Sequence, residues 1–441
     1  MIIRNNRKEM CICQVAPYVI IFSFVTFYAC QTAWAAGSSG VEVGLDSARA
    51  LGKGGAVVAD PKDAATLVYN PAGLTKLEGK QMAMNSTIIV PITEYINTRG
   101  ASENGSVLPI YIPSYFMSFD TPIESLKIGT GINSPFGLAS QWSSTGNFKY
   151  TGIANEVKSI YYTVDVAYQV KPRVSLAAGV SYIESSLRQI GKLNSTFLVG
   201  SGGDINTEID TKGHGMGWNM GALFTPDDKW SLGAFYRSAV RTAMDGEYNA
   251  DNIQAVAAQA VFGSVGNTSF RTSVNTDITF PDTLVLGANY KATEKLDIEA
   301  DLGWTGWGKW DHFDFVYGTP NAFLNGGDPA EHKFQDTISI NVGANYKLNP
   351  RWQVSGGYAF YQQAALENDY SNAFLDGDRH NFAVGLQYTV GSFSISTAYA
   401  AQFVRQVHID NNVGAANNAN MDGTYSALYH VFLTSITYKF G

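Results

Sequence analysis

From about residue 150 onward, apolar residues alternate with small or polar ones through segment after segment. The clearest sets Leu296, Ile298, Ala300, Leu302 and Trp304 against Asp297, Glu299, Asp301, Gly303 and Thr305. Successive side chains of a strand point to opposite faces, so this strand carries acids on one side and aliphatics on the other. In a two-sheet sandwich the apolar faces would meet in a shared core. Here the pattern recurs strand after strand, with an aromatic residue closing each apolar row. That predicts a closed antiparallel barrel whose outside touches lipid.

The connections alternate in length. Short ones contain Lys171-Pro172-Arg173, Pro226-Asp227-Asp228-Lys229, Ala292-Thr293-Glu294, Asn349-Pro350 and Gly391, with Thr121 to Ser125 as a sixth. These carry turn chemistry and are mostly bracketed by aromatics such as Tyr290, Tyr346 and Trp352, placed for an interfacial girdle. Long connections run from Asn97 to Leu108, Ser134 to Lys158, Gly191 to Gly213, Asp245 to Asn275, Asp311 to Lys333, Ala364 to Gly377 and Gln406 to Gly423. Six turns and seven loops join fourteen strands, an even number that puts both barrel ends on the periplasmic side. The last strand ends in the row Ile436, Tyr438, Phe440, the form expected of a signal for barrel-insertion machinery, with Gly441 trailing it.

The chain opens with Arg4, Arg7 and Lys8, an apolar run from Val15 to Ala29, and Ala33-Trp34-Ala35. This predicts a signal peptide over residues 1–35. A lipid-anchored Cys30 is the weaker alternative. Cys11, Cys13 and Cys30 all fall in that leader, so neither disulfides nor thiol-bound metals are expected in the mature chain. The net charge of −8 becomes more negative once the leader is removed, which argues against a nucleic-acid partner. Charged residues are only 15% of the chain, while Tyr and Phe number 24 each, as suits a barrel averaging lipid-facing and lumen-facing residues.

Residues 36–79 do not fit the barrel, which we assign to 80–441. They are dotted with glycine, yet aliphatics such as Val57, Val58, Leu67 and Leu74 favour burial over disorder. A tail, a separate periplasmic element and a plug folded into the lumen are the three readings. Within the segment, Asn70-Pro71-Ala72-Gly73 is by itself a turn motif.

In order along the chain, Tyr69-Asn70-Pro71-Ala72, Gly131-Ile132-Asn133-Ser134-Pro135-Phe136-Gly137-Leu138, Gly217-Trp218-Asn219, Tyr236-Arg237-Ser238, Phe280-Pro281-Asp282, Trp304-Thr305-Gly306-Trp307, Phe334-Gln335-Asp336 and Asp378-Arg379-His380 form a recognisable series. The chain resembles the outer-membrane long-chain fatty acid transporter family (the FadL type, which includes aromatic-hydrocarbon channels). The resemblance covers essentially the whole mature chain. It implies an all-β, fourteen-stranded transmembrane barrel with an N-terminal hatch inside the lumen. It also implies a capture groove between the third and fourth long loops, an interior hydrophobic pocket, and a third-strand kink that opens the wall sideways.

Candidate binding residues follow. Ile253, Val256, Ala257, Ala260 and Val261, followed by Phe262, suggest an apolar helical face in the fourth loop, with Asp251 able to cap it. Its partner is either another loop or a ligand. Arg188 and Arg237 are the basic candidates for a ligand carboxylate; Arg237 falls on the lumen row and is read first as structural, paired with an acid such as Asp282. Gln335 stands where fatty-acid members of the family carry a base, which keeps an uncharged hydrocarbon ligand open. Ser134-Pro135-Phe136-Gly137 breaks the third strand, since Pro135 has no N–H for a ladder; the residues alone favour a strand ending at Asn133 with Pro135 opening the loop, and the resemblance favours an inward kink that opens a lateral gap. No Gly-x-Ser-x-Gly or His-Glu-x-x-His motif is present and the histidines are scattered, so no enzyme activity, cofactor or metal is expected. The expected function is passive uptake of long-chain fatty acids or similar hydrophobic molecules; the alternatives are a general diffusion porin and an adhesin or structural barrel. The expected partners are the hydrophobic ligand, outer-membrane lipid and lipopolysaccharide, and the insertion machinery during assembly.

Overall fold

The computed structural model describes residues 46–200, 202–262, 266, 268–310, 312–319, 330–331, 334–367, 370–373, 375–411 and 419–440. The leader and residues 36–45 lie outside them. The strands are β1 (Lys80–Asn97), β2 (Ile110–Asp120), β3 (Leu126–Asn133, resumed at Gly137–Gln141), β4 (Ala154–Lys171), β5 (Val174–Asn194) and β6 (Asp204–Phe224). Then come β7 (Trp230–Arg237 and Val240–Asp251), β8 (Phe270–Phe280 and Thr283–Lys291), β9 (Leu296–Thr305), β10 (Thr337–Lys347), β11 (Trp352–Tyr361), β12 (Arg379–Val390), β13 (Phe393–Ile409) and β14 (Gly423–Phe440). Neighbours pair antiparallel, and β14 returns to β1 in unbroken register from Lys80 opposite Phe440 to Asn97 opposite Gly423. The result is a closed fourteen-stranded barrel.

The alternation places side chains as read. On β9, Asp297, Glu299 and Asp301 are buried inward while Ile298 and Leu302 face out. Val431, Leu433 and Leu223 also point inward and are buried. Outward aliphatics such as Val166, Leu176, Leu286 and Val384 form the apolar band. Paired aromatics, their rings tilted against each other, border it near the short turns: Trp230 with Tyr290, Trp352 with Tyr388, and Phe393 with Tyr438, at 4.5–4.7 Å between ring centroids. This is the interfacial girdle of an outer-membrane barrel.

Several strands run farther than the alternation indicated. Pairing of β5 with β6 continues to Asn194 opposite Asp204, and that of β7 with β8 to Ala250 opposite Phe270. The third and fourth loops are therefore shorter than expected. Above the bilayer the outward row need not be apolar, so the sequence signal fades while the ladder continues.

The N-terminal segment lies within the barrel. It contains α1 (Ala48–Gly52), α2 (Thr66–Tyr69) and a 3-10 helix (Pro71–Lys76), all largely buried. Leu67, Leu74 and Leu77 pack against Phe116, Ala177 and Leu223 of the wall. Two further short helices, α3 (Ser195–Val199) and α4 (Ala255–Phe262), cap the third and fourth loops and pack on each other.

Candidate functional site

The upper interior is apolar and filled. Phe136, Tyr161, Phe280, Trp307, Trp310 and Met244 belong to one buried cluster reaching from the outer loops to the middle of the barrel. Phe136 stacks on Phe280 at 5.3 Å and meets Trp307 edge-on at 5.9 Å. Beneath them the Arg237 guanidinium lies over the Phe136 ring at 4.8 Å, a cation–π contact. A cavity of about 20 Å³ beside Arg237, lined by Leu67, Asn133, Pro135 and Tyr161 among others, has room for roughly one water.

The wall next to this cavity is interrupted. β2 and β3 pair as far as Tyr115 opposite Ile132 and no farther, although β2 continues back to Ile110. On its other side β3 stays attached to β4: Asn133 pairs with Tyr161, and Gly137 with Lys158. Ser134, Pro135 and Phe136 thus oppose only Ser159 and Ile160, a bulge of one extra residue. Gly137 is absent from the positive-φ glycines, so Pro135 and the bulge make the break rather than an unusual glycine backbone. Backbone groups freed there find a partner in Ser159. Its hydroxyl accepts from the Phe136 N–H at 3.2 Å and donates to the Phe136 carbonyl at 2.7 Å, while Ser134 donates to the Ser159 carbonyl. Polar backbone at membrane depth has to be satisfied in this way.

Asp46 stands where the next β2–β3 pair would form. The Ser114 hydroxyl donates to its carbonyl at 3.3 Å and the Asn133 amide donates to its carboxylate at 2.9 Å. Its own N–H donates to the Tyr69 hydroxyl at 3.0 Å. Burial pushes the Asp46 carboxyl up to about 6, partly opposed by the Asn133 hydrogen bond and the charge of Arg237.

A second set of contacts fixes the segment to β9. The Lys53 ammonium is fully buried and lies 2.9 Å from Glu299, 3.2 Å from Asp60 and 3.5 Å from Asp297. Glu299 accepts the Ala59 N–H at 2.6 Å, and Asp301 accepts those of Val57 and Val58 at 2.9 and 3.2 Å. Against the cost of burial, Lys53, Lys62 and Arg49 hold the Asp60 carboxyl below its usual range. The segment's backbone lies close to the wall because inward positions of β7 and β10 are glycine. A Cβ on Gly233 would meet the Val58 carbonyl at 2.3 Å, and one on Gly343 the Lys53 carbonyl at 2.1 Å.

The residues singled out in the sequence separate into groups. Asn70 caps the 3-10 helix by accepting the Ala72 N–H, and its amide donates to the carbonyls of Val58 and Ala222 at 2.9 Å each. Pro71, Ala72 and Gly73 are buried in that helix. Ser134, Pro135, Phe136 and Gly137 form the break already described. Arg237 faces the lumen and donates to Thr283 at 3.4 Å, while Asp282 accepts from Lys309 and Tyr236. Arg188 falls on the outward row beside Leu187, which points inward; it pairs with Glu208 at 2.7 Å. In the fourth loop, Ile253 precedes α4 and is buried, as are Ala257 and Ala258 on the helix, whereas Val256 is 61% exposed. The expected shared face is therefore split: the turn around Asn252 delays the helix to Ala255, and Ala258 takes the inward place given to Val256. Asp251 ends β7 and accepts from Asn206 rather than capping the helix. Ala260, Val261 and Phe262 lie in α4, with their side chains outside the described residues. Gln335 donates to the Gln363 carbonyl at 3.0 Å, and Lys333 is outside the described residues.

Ser159, Asp46 and Lys53 escaped the sequence reading. Each matters through a partner distant in the chain; Lys53 and Glu299, for example, are 246 residues apart.

Comparison with known proteins gives one consistent answer. A family model described as outer membrane protein transport protein (OMPP1/FadL/TodX) matches residues 27–440. The long-chain fatty acid transport protein of Escherichia coli O6:H1 is 23% identical over 415 residues, covering 86% of this chain and 90% of that protein. A Pseudomonas aeruginosa FadL homologue superposes with a TM-score of 0.80 at 18% identity, covering 91% of this chain and all of that one. The toluene transporter TodX of P. putida superposes with a TM-score of 0.68 at 16% identity, covering 89% and 98%.

Proposed function

The chain belongs to the outer membrane protein transport family (OMPP1/FadL/TodX), and from that premise we propose that it is a channel for passive uptake of long-chain fatty acids or similar hydrophobic molecules. The physical task is to carry an apolar solute past a polar outer surface. Exposed Phe197 on α3 and Val256 on α4 offer apolar contact at the outer loops, and capture begins there. The ligand then enters the aromatic interior by displacing side chains, since the cavities beside Arg237 and beneath Trp142 are each only about 20 Å³. The N-terminal segment acts as a hatch below.

One observation carries the reading. The apolar interior ends at a cation, Arg237, beside a wall where β2 and β3 lose their pairing. An apolar tail, a single head-group contact and a sideways outlet into lipid belong together. The outlet lets the ligand reach the bilayer without crossing water. A general diffusion porin is not favoured, because the described lumen is filled by aromatics and by the N-terminal segment.

Uptake by cells carrying the wild-type protein tests this reading, with oleate and toluene as solutes and a barrel-null strain as the baseline. Arg237→Leu should lower oleate uptake and leave toluene uptake intact if the ligand is a carboxylate. Steady ion conductance in planar bilayers, with no saturable uptake of either solute, would replace this reading with a porin.

A further inference from the structure

The periplasmic mouth holds a second site. Below the N-terminal segment, the turns after β4 and β6 border an open cavity of about 460 Å³, within the size range of small-molecule sites. Lys62, Lys76, Arg173, Lys229 and Lys291 enter its wall, against Asp60, Asp227 and Asp228. In a chain of net charge −8 this is a local excess of positive charge. The acids are also largely engaged. Asp60 is shared among Lys53, Arg49 and Lys62. The Asp227 carboxylate accepts the N–H groups of Lys229 and Trp230 at 2.8 Å each. Lys76 forms no ion pair among the described residues, and its ammonium donates to the Pro172 carbonyl at 3.4 Å. Partial burial draws that ammonium below the ordinary lysine range, as expected of a half-buried cation without a counter-charge beside it. Pro61, Pro172 and Trp230 give the same cavity an apolar side.

We propose that this cavity binds a carboxylate-headed amphiphile, its head group on Lys76, Arg173 and Lys229 and its tail against Pro61 and Pro172. The proposal rests on the reading that this barrel handles long-chain acids. It adds a holding site on the periplasmic side of the hatch, separate from Arg237 and from the break in β3. A carboxylate with a tail matches the site better than a small inorganic anion, because only the tail makes use of the apolar side. The cations also lie on separate elements, the segment and two turns, so a bound head group ties the segment to the turns.

The probe is sulfosuccinimidyl oleate on the full-length protein in phosphatidylcholine nanodiscs. A lysine amine held at a carboxylate site attacks the ester carbonyl, forms an amide and expels N-hydroxysulfosuccinimide. Peptide mapping should find Lys76 labelled about tenfold faster than exposed Lys347, a preference on the scale of one charge-assisted contact. Oleate should protect it and oleyl alcohol should not. Arg173→Gln with Lys229→Gln should weaken protection by oleate severalfold, yet leave labelling by sulfosuccinimidyl acetate unchanged. Equal protection by oleyl alcohol, or no protection by oleate, would overturn the proposal. Protection by phosphatidylglycerol in place of oleate would assign the site to a lipid phosphate instead. Oleate uptake measured on the same wild-type protein keeps the two readings apart: its absence removes the transport function, while labelling judges the site by itself.

Discussion

Replacing Lys53 by Met should unseat the N-terminal segment while leaving the barrel folded. The side chains are similar in length, so the change removes charge rather than volume. Lys53 supplies the buried ammonium nearest Glu299, at 2.9 Å, and Glu299 is itself fully buried. After substitution Asp60 keeps Arg49 and Lys62, and Asp297 keeps the Asn345 amide. Glu299 keeps the Ala59 N–H and a long contact from Asn289, but no cation. Removing one partner of a buried pair costs about 3–5 kcal/mol. Because only one carboxylate is orphaned, the low end applies, about 3 kcal/mol or roughly a hundredfold in the ratio of released to seated segment. Planar-bilayer recordings should show a higher open fraction. Trypsin should cut faster at Lys62 and Lys76, with circular dichroism of the barrel unchanged. Lys53→Met combined with Glu299→Gln should restore the closed state, since a neutralised pair leaves no buried charge while the introduced amide oxygen can still accept the Ala59 N–H. Wild-type conductance and proteolysis in the single variant would refute the electrostatic seat. Loss of barrel structure would show that the network holds the wall instead.

Three further outcomes are expected. Asp46 binds its proton more tightly folded, near pH 6, than unfolded, near 4, so the seated form gains stability as pH falls through 6 and loses it above; openings should be rarer at pH 5 than at 7.5, and Asp46→Asn should flatten that dependence. Deleting Pro135 leaves two residues opposite Ser159 and Ile160 and restores a regular ladder; uptake should fall sharply while the purified barrel still binds oleate, and undiminished uptake would remove the sideways outlet. Phe197→Ser with Val256→Ser removes exposed apolar surface worth about 25 cal/mol per Å²; uptake should weaken severalfold at low oleate concentration and recover at saturation.

The barrel was legible because its information is local. Two-residue periodicity on β9, the Pro and Asn turns and the aromatic closures each lie within about ten residues. The break was legible only in part: Pro135 cannot serve a ladder wherever it stands, but local sequence favours a strand that ends at Asn133, and the resumption at Gly137 depends on pairing with β4. The residues that complete these features were not. Ser159 sits in a regular strand and looks like any small inward residue; only its position opposite the bulge gives its hydroxyl two backbone partners. Val256 fitted a helical face that presumed a start near Asp251, but the strand consumes Asp251 and rotates the face away. Arg188 lay one residue from the inward Leu187, and with a two-residue period such a slip reverses the side. Gly233 and Gly343 carried a usable signal, for an inward glycine in a strand marks a close backbone approach.

The way the segment is held bears on how it can leave. Its apolar side, Leu67, Leu74 and Leu77, faces the β2–β6 wall, while its charged side faces β9. A segment held by apolar burial alone would be as secure against ligand as against water, because a greasy solute has no means to compete for a contact already dry. An ionic seat differs. Buried charges gain little net stability over apolar packing, yet any shift in one partner is strongly felt. At the break, Asp46 draws on Asn133 and on the charge of Arg237, and Arg237 is also the cation at the foot of the proposed ligand path. On that reading a ligand carboxylate arriving at Arg237 weakens the hold on Asp46, and it does so at the one place where β2 and β3 are not joined by their own hydrogen bonds. The same solute that needs the outlet is then the one that loosens it, whereas an uncharged hydrocarbon must rely on displacing Phe136 and Tyr161. In the Arg173→Gln, Lys229→Gln background, where the periplasmic site no longer ties the segment to the turns, oleate but not hexadecane should therefore raise trypsin cleavage at Lys62, and equal effects of the two would remove Arg237 from the coupling.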